Sequence, residues 1–175
     1  LNAMIEKGLG SYLETGDQLD DTAAKVSGFL KNRMVNILTD MGLSKEAVNS
    51  ALEVEFDNIP DVMLRVKALD KLRQAPDFEP LAVTFKRVEN IIRKAGSDIQ
   101  PDIDTALFED SSETQLYEAL NSLKSDVQDY IEQGDYDSAL SGMTRIRPVV
   151  DRFFEDVVVM AEDEQIKNNR IALLS

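Results

Sequence analysis

The sequence predicts an all-α fold, a helical bundle. Apolar residues recur at spacings of three and four along most of the 175 residues, and sustained apolar–polar alternation is nearly absent. A composition of 43% hydrophobic and 30% charged residues supplies a core and a solvated exterior. No stretch reaches the roughly 18 apolar residues of a membrane span, and no basic start leads into an apolar run. The expectation is a cytoplasmic chain without an anchor. Leu1, Asn2 and Ala3, ahead of Met4, read as a vector remnant, residues 4–18 as a linker or the end of an upstream helix, and residues 19–174 as the helical region.

A first helix is expected from Thr22, capped by Asp20 or Asp21, through Val26, Phe29, Leu30, Ile37 and Leu38 to a stop at Gly42. Ser44 caps a short second helix to about Glu55. Pro60 opens a third, with Val62, Val66, Leu69 and Leu72 on one side, and Pro76 ends it. Pro80 lies in the first turn of a fourth helix reaching Lys94. A loop holding Pro101 follows, with a short turn over residues 103–108. Ser112 starts the most regular helix, with Leu116, Leu120, Leu123, Val127 and Ile131 on one face, and Gly134 stops it. A short helix from Tyr136 to about Ile146 comes next. Pro148 is read as the opening of another, carrying Val150, Phe153, Phe154 and Val157. Residues 157–160 favour a strand by propensity, but Phe153, Val157 and Ala161 keep a four-residue spacing, so helix is expected there. Asp163 caps the final helix, which ends at Leu174.

The chain contains no histidine and no cysteine, which removes the imidazole base, the thiolate nucleophile, the zinc knuckle and the Ser-His-Asp relay. No catalytic residue and no metal site is assigned. The segment from Asp98 to Glu109 carries acids at positions 1, 5, 7 and 12 of a calcium loop, but Ile103 stands where the sharp turn needs glycine. Gly8 and Gly10 supply two of the three glycines of a dinucleotide loop and follow no strand.

The net charge of −14 argues against indiscriminate binding to nucleic acid. Its distribution is uneven. Arg65, Lys67, Lys71, Arg73, Lys86, Arg87, Arg93 and Lys94 fall within residues 65–94 beside only Asp70, Asp77, Glu79 and Glu89. On the fourth helix, at about 100° per residue, Leu81, Phe85, Val88 and Ile92 share a core face, while Lys86, Asn90, Arg93 and Lys94 lie about 120° to 220° away. Arg87 flanks them. Almost no acids interleave as i,i+4 partners. Lysine and arginine beside an asparagine suit RNA, because cations neutralise phosphates while an amide can pair with an unstacked base edge. Tyr136 and Phe154 are the aromatic candidates for stacking, and a phenylalanine at helical spacing equally suits a core.

Five segments in order carry a family resemblance: Val66-Lys67-Ala68-Leu69, Lys86-Arg87-Val88-Glu89-Asn90-Ile91, Val150-Asp151-Arg152-Phe153-Phe154, Val159-Met160-Ala161-Glu162-Asp163 and Asn169-Arg170-Ile171-Ala172-Leu173-Leu174. Together they resemble the C-terminal region of the bacterial glycyl-tRNA synthetase β subunit, across about residues 19 to 174. The resemblance implies a helical anticodon-binding domain of the DALR type over about residues 76–174, with preceding helices. It also implies glycine tRNA as partner, and a separate α subunit that holds the ATP, magnesium and glycine site in an α2β2 assembly. Glycine-tRNA ligase activity would then belong to the assembly, with this part of it non-catalytic and binding no cofactor of its own. Lys86, Arg87 and Asn90 lie on a matched segment, and Arg93 and Lys94 join them by helix geometry. Arg145, Arg147 and Arg152 flank Pro148 as an expected second wall of the same groove, where a helix start would offer free N–H groups to a phosphate. Asn169 and Arg170 are expected to pack or cap the terminus. The competing readings are a helical protein-interaction scaffold and the equivalent domain of arginyl-tRNA synthetase.

Overall fold

The structure is a computed structural model that describes residues 2–10, 19–54, 56–96 and 102–175. All regular structure among them is helical, and none of these helices is long and apolar enough to cross a membrane. The chain divides into two compact units, Leu1–Lys71 and Leu72–Ser175.

The first unit contains α1 (Asn2–Gly10), α2 (Leu19–Asp40), α3 (Lys45–Val54) and most of α4 (Ile59–Gln74). The expected stop after α2 is built as a Schellman turn. Gly42 takes φ +89°, its N–H donates to the Thr39 carbonyl at 2.9 Å, and the Leu43 N–H donates to the Leu38 carbonyl at 3.3 Å. α3 starts directly after Ser44, whose own N–H is held by Asp70 Oδ1 at 3.0 Å. Pro60 sits in the first turn of α4, where its missing N–H costs nothing. Leu38, Ala47, Val48, Ala51, Leu52, Val62 and Val66 form the core of this unit. Arg65 reaches from α4 to the Ala51 carbonyl of α3 at 3.2 Å. Phe29 and Ile37 project outward, and α2 instead turns Met34, Val35 and Leu38 to the core.

The second unit contains α5 (Phe78–Ala95), a 3-10 turn (Thr105–Leu107), α6 (Ser111–Glu132), α7 (Tyr136–Asp156) and α8 (Glu164–Leu174). α6 and α7 pack along much of their length as an αα-hairpin. Gly134, at φ +72°, supplies the left-handed residue that closes α6, and its N–H donates to the Ile131 carbonyl at 3.0 Å. Gly142 gives the two helices room to meet, since a Cβ built there would lie 3.0 Å from Leu123 Cδ1. Leu116, Ile146, Val150, Phe153, Phe154, Val157, Val159, Ile171 and Leu173 form one core from α6, α7, α8 and the segment before α8. Asp163 caps α8 as expected, its Oδ1 accepting from the Gln165 N–H at 2.8 Å and the Ile166 N–H at 3.2 Å.

Three expectations fail in this unit. No break occurs at Pro148, which lies inside one continuous helix, α7. Proline removes one backbone bond and crowds one carbonyl, and the buried row of Ile146, Val150 and Phe153 continues across it and holds the helix together. Residues 157–160 are not helical. Val157 is extended at φ −123°, ψ 132°, and Val157 and Val159 are buried while Val158 and Met160 point outward. Two-residue alternation and β-branching therefore outweigh the four-residue spacing. Finally, the buried face of α5 turns Leu81, Thr84, Val88, Ile91 and Ala95 inward and leaves Phe85 at its edge, 42% exposed.

Candidate nucleic-acid interface

The inward turn of Thr84 decides how the basic face of α5 is presented. Its hydroxyl donates to Asp151 Oδ1 of α7 at 2.8 Å, and Asp151 Oδ2 in turn pairs with Arg147 Nε at 3.1 Å. Three residues further along each helix, Arg87 Cζ stands 4.0 Å from the ring centroid of Phe154. Two contacts one turn apart thus join α5 to α7 in register, a hydroxyl–carboxylate bond and a cation–π stack. With that side fixed, Lys86, Asn90, Arg93 and Lys94 face away from the core, where the helical period places them.

Within this face, the Arg93 guanidinium donates from Nη2 to Asn90 Oδ1 at 2.6 Å. The bond spends the amide's acceptor and aims its NH₂ group as the available donor. Lys86, Arg87 and Lys94 form no ion pair among the described residues. Val83, one turn before Arg87 on the same side, is 67% exposed, an apolar member of the face that the charge pattern alone does not disclose. Its position four residues before Arg87 is the signal that could have included it.

The three arginines around Pro148 do not form one wall. Arg147 lies toward α5 through Asp151. Arg145 and Arg152 lie roughly 100° to 120° around α7 from Asp151, toward α6. Arg145 lines a cavity of about 220 Å³ with Ser122, Leu123, Asp126 and Gly142. Arg152 pairs with Asp156 at 3.1 Å and adds to the pull on Asp110, the α6 N-cap. That carboxyl is held below its ordinary range chiefly by the Ser112 N–H. Since α7 is continuous there, no helix start at Pro148 offers N–H groups to a phosphate. Of the aromatic candidates, Tyr136 opens α7 half-buried, and Phe154 is a core residue whose covered face is taken by Arg87.

Asn169 and Arg170 are structural, as expected. Asn169 Oδ1 accepts from the Asp104 N–H at 2.8 Å, and its Nδ2 donates to the Asp104 carbonyl at 2.9 Å, which locks the 3-10 turn onto α8. Arg170 is buried and donates to Glu113 Oε1 at 2.9 Å, Glu109 Oε2 at 2.8 Å and the Val158 carbonyl at 3.1 Å. Glu113 is fully buried and completes the α6 capping box by accepting from the Asp110 N–H at 2.8 Å. Sequence reading missed Glu113. An acid three residues after Asp110 at a helix start was the available signal.

The family model described as the DALR anticodon binding domain matches residues 81–175, from α5 to the last residue. The chain is similar to proteins named glycine--tRNA ligase beta subunit. The one from Desulforapulum autotrophicum is 46% identical over 175 residues, covering 100% of this chain and 25% of the relative. Those from Desulfatibacillum aliphaticivorans and Geobacter metallireducens are 40% and 41% identical over 179 and 190 residues, again across 100% of this chain and 25% and 27% of the relatives. The chain spans about a quarter of the length of the curated relatives it matches. With the model covering more than half of the chain, and most of the unit that carries the cationic face of α5, the chain belongs to the DALR anticodon binding domain family.

Proposed function

We propose that this chain is the anticodon-binding module of a glycine-tRNA ligase β subunit. It would hold glycine tRNA while a separate α subunit, in a cytoplasmic α2β2 assembly, uses ATP and magnesium to attach glycine. The observation that carries the proposal is the coincidence of two independent features on one unit. The family match begins at Leu81 in the first turns of α5, and that helix presents Lys86, Arg87, Asn90, Arg93 and Lys94 on its outer side. Arg147, held by Asp151, adds to that side. Arg145 and Arg152, turned toward α6, would contact RNA only if the bound tRNA wraps round α7.

A body of −14 net charge with one basic face repels RNA elsewhere and narrows the docking poses. Phosphate contacts from the lysines and arginines supply affinity, and the Asn90 amide, oriented by Arg93, supplies a donor for a base edge. Titrating glycine tRNA into the chain at two salt concentrations tests the proposal. Affinity should fall steeply with salt and exceed that for a tRNA with a different anticodon. Salt-independent binding, or equal affinity for both tRNAs, would count against it.

A further inference from the structure

Arg87 differs from the other cations of the face in what lies beneath it. Its guanidinium carbon is 4.0 Å from the Phe154 centroid, a stacking distance, and Phe154 is only 7% exposed, wedged against Phe153 with ring centroids 5.8 Å apart. The ring cannot swing away without opening the core. The side of the guanidinium toward Phe154 is therefore covered, while the Arg87 side chain remains exposed and forms no ion pair among the described residues. Arg147 and Arg152, by contrast, are each committed to a carboxylate.

A guanidinium is hydrated around its edge, where its five N–H groups point, and poorly above and below its plane. Its outer flat side is thus a surface that another flat group can cover at small desolvation cost. A phosphate would approach along the edge instead. Exposed Val83, one turn away, borders the same surface with an apolar side chain, which suits the edge of a ring or a sugar better than an anion.

The geometry points to Arg87 as a stacking platform. An unpaired nucleobase of the anticodon loop lies on its outer side and completes a three-layer stack of base, Arg87 and Phe154, with Val83 against the rim. This deepens the reading of the chain as an anticodon-binding module and rests on it. Arg87 then acts by its plane, and Lys86 and Lys94 by their charge.

The test uses the 175-residue chain and the anticodon stem-loop of glycine tRNA, with each loop base removed in turn to leave an abasic sugar. Removal at one position should weaken binding roughly 5- to 150-fold, the span of a single base stack. Arg87→Lys keeps the charge and loses the plane. It should weaken the intact stem-loop by a similar factor, leave the salt dependence unchanged and no longer respond to base removal at that position. Phe154→Leu should act in the same direction, provided its helical spectrum matches that of the parent, and Arg87→Lys decides the matter where it does not. Wild-type binding by Arg87→Lys, or unchanged base-removal penalties at every position, overturns the platform. If a Lys86→Glu, Lys94→Glu chain loses binding in that case, the anticodon-binding reading stands and the stack alone falls. A chain with no salt-dependent binding to the stem-loop takes both down.

Discussion

Arg170 Nε donates to Glu113 Oε1 at 2.9 Å across 57 residues of sequence, and the carboxylate it meets is fully buried. Burial pushes the Glu113 carboxyl upward. The Arg170 bond, the Asp110 and Glu109 N–H groups and the Arg170 charge outweigh it, so the group is held below its ordinary value of 4.5. Burial likewise pulls Arg170 down, and its bonds to Glu113 and Glu109 outweigh it and leave its pKa raised. The pair fastens α8 to the start of α6.

A depressed carboxylate stabilises the fold fully above its ordinary value, and that contribution is lost as the pH falls through the folded value. Thermal unfolding should therefore show Glu113→Gln less stable than the parent at pH 7, with the gap narrowing below about pH 4.5. Arg170→Met leaves a buried charge without its partner and should cost about 3 to 5 kcal/mol in chemical unfolding at neutral pH. A gap that stays constant down to pH 3 would contradict the linkage.

The cationic face predicts graded losses of RNA affinity. Lys86→Ala and Lys94→Ala should each weaken tRNA binding by about 1 kcal/mol and flatten its salt dependence. In the complete α plus β enzyme, Lys86→Glu, Lys94→Glu should lower kcat/KM for tRNA and leave glycyl adenylate formation unchanged, because the proposal assigns the two steps to different subunits. Normal charging at physiological salt would reduce the face to solvated surface.

Asn90→Ala should act on discrimination more than on affinity. Losing a base-edge donor should narrow the gap between glycine tRNA and an anticodon mutant by roughly 1 to 3 kcal/mol, on the scale of good contacts in DNA complexes. Arg93→Ala should reproduce part of this effect, since Arg93 holds the amide by its Oδ1. Equal losses for both tRNAs in competition binding would reassign Asn90 to positioning.

The Thr84–Asp151 bond predicts a stability effect on the α5–α7 contact. Thr84→Val removes one hydrogen bond at nearly constant shape and should cost about 1 kcal/mol in chemical unfolding. Asp151→Ala should cost more and also release Arg147. Hydrogen exchange should then show α5 amides opening more readily in both variants, and exchange unchanged in α5 would count against the contact.

The helical class and most helix boundaries are readable from local chemistry. Gly42, Gly134, Pro60 and Asp163 each act within a turn of themselves, so spacing and residue type are enough. The failures arise where distant residues decide. Pro148 stays inside α7 because Ile146, Val150 and Phe153 share one buried side, and residues 157–160 extend because Val157 and Val159 both reach the core. On the basic face, charge and helical period place Lys86, Asn90, Arg93 and Lys94 together. They do not place Phe154 under Arg87, because that relation depends on how α7 packs, and the helical period separates Arg147 from Arg145 and Arg152 only once α7 is continuous through Pro148.

The contribution of α8 to the core carries a consequence for biosynthesis. Ile171 and Leu173 complete an apolar cluster begun by Leu116 and Phe153, and Arg170 neutralises a glutamate buried 57 residues earlier. A nascent chain emerging from the ribosome meets these partners late. Until α8 clears the exit tunnel, the α6–α7 hairpin has an open apolar flank and an unmatched carboxylate, so this unit is expected to close only after translation has passed residue 174, and the waiting intermediate is the species a chaperone would engage.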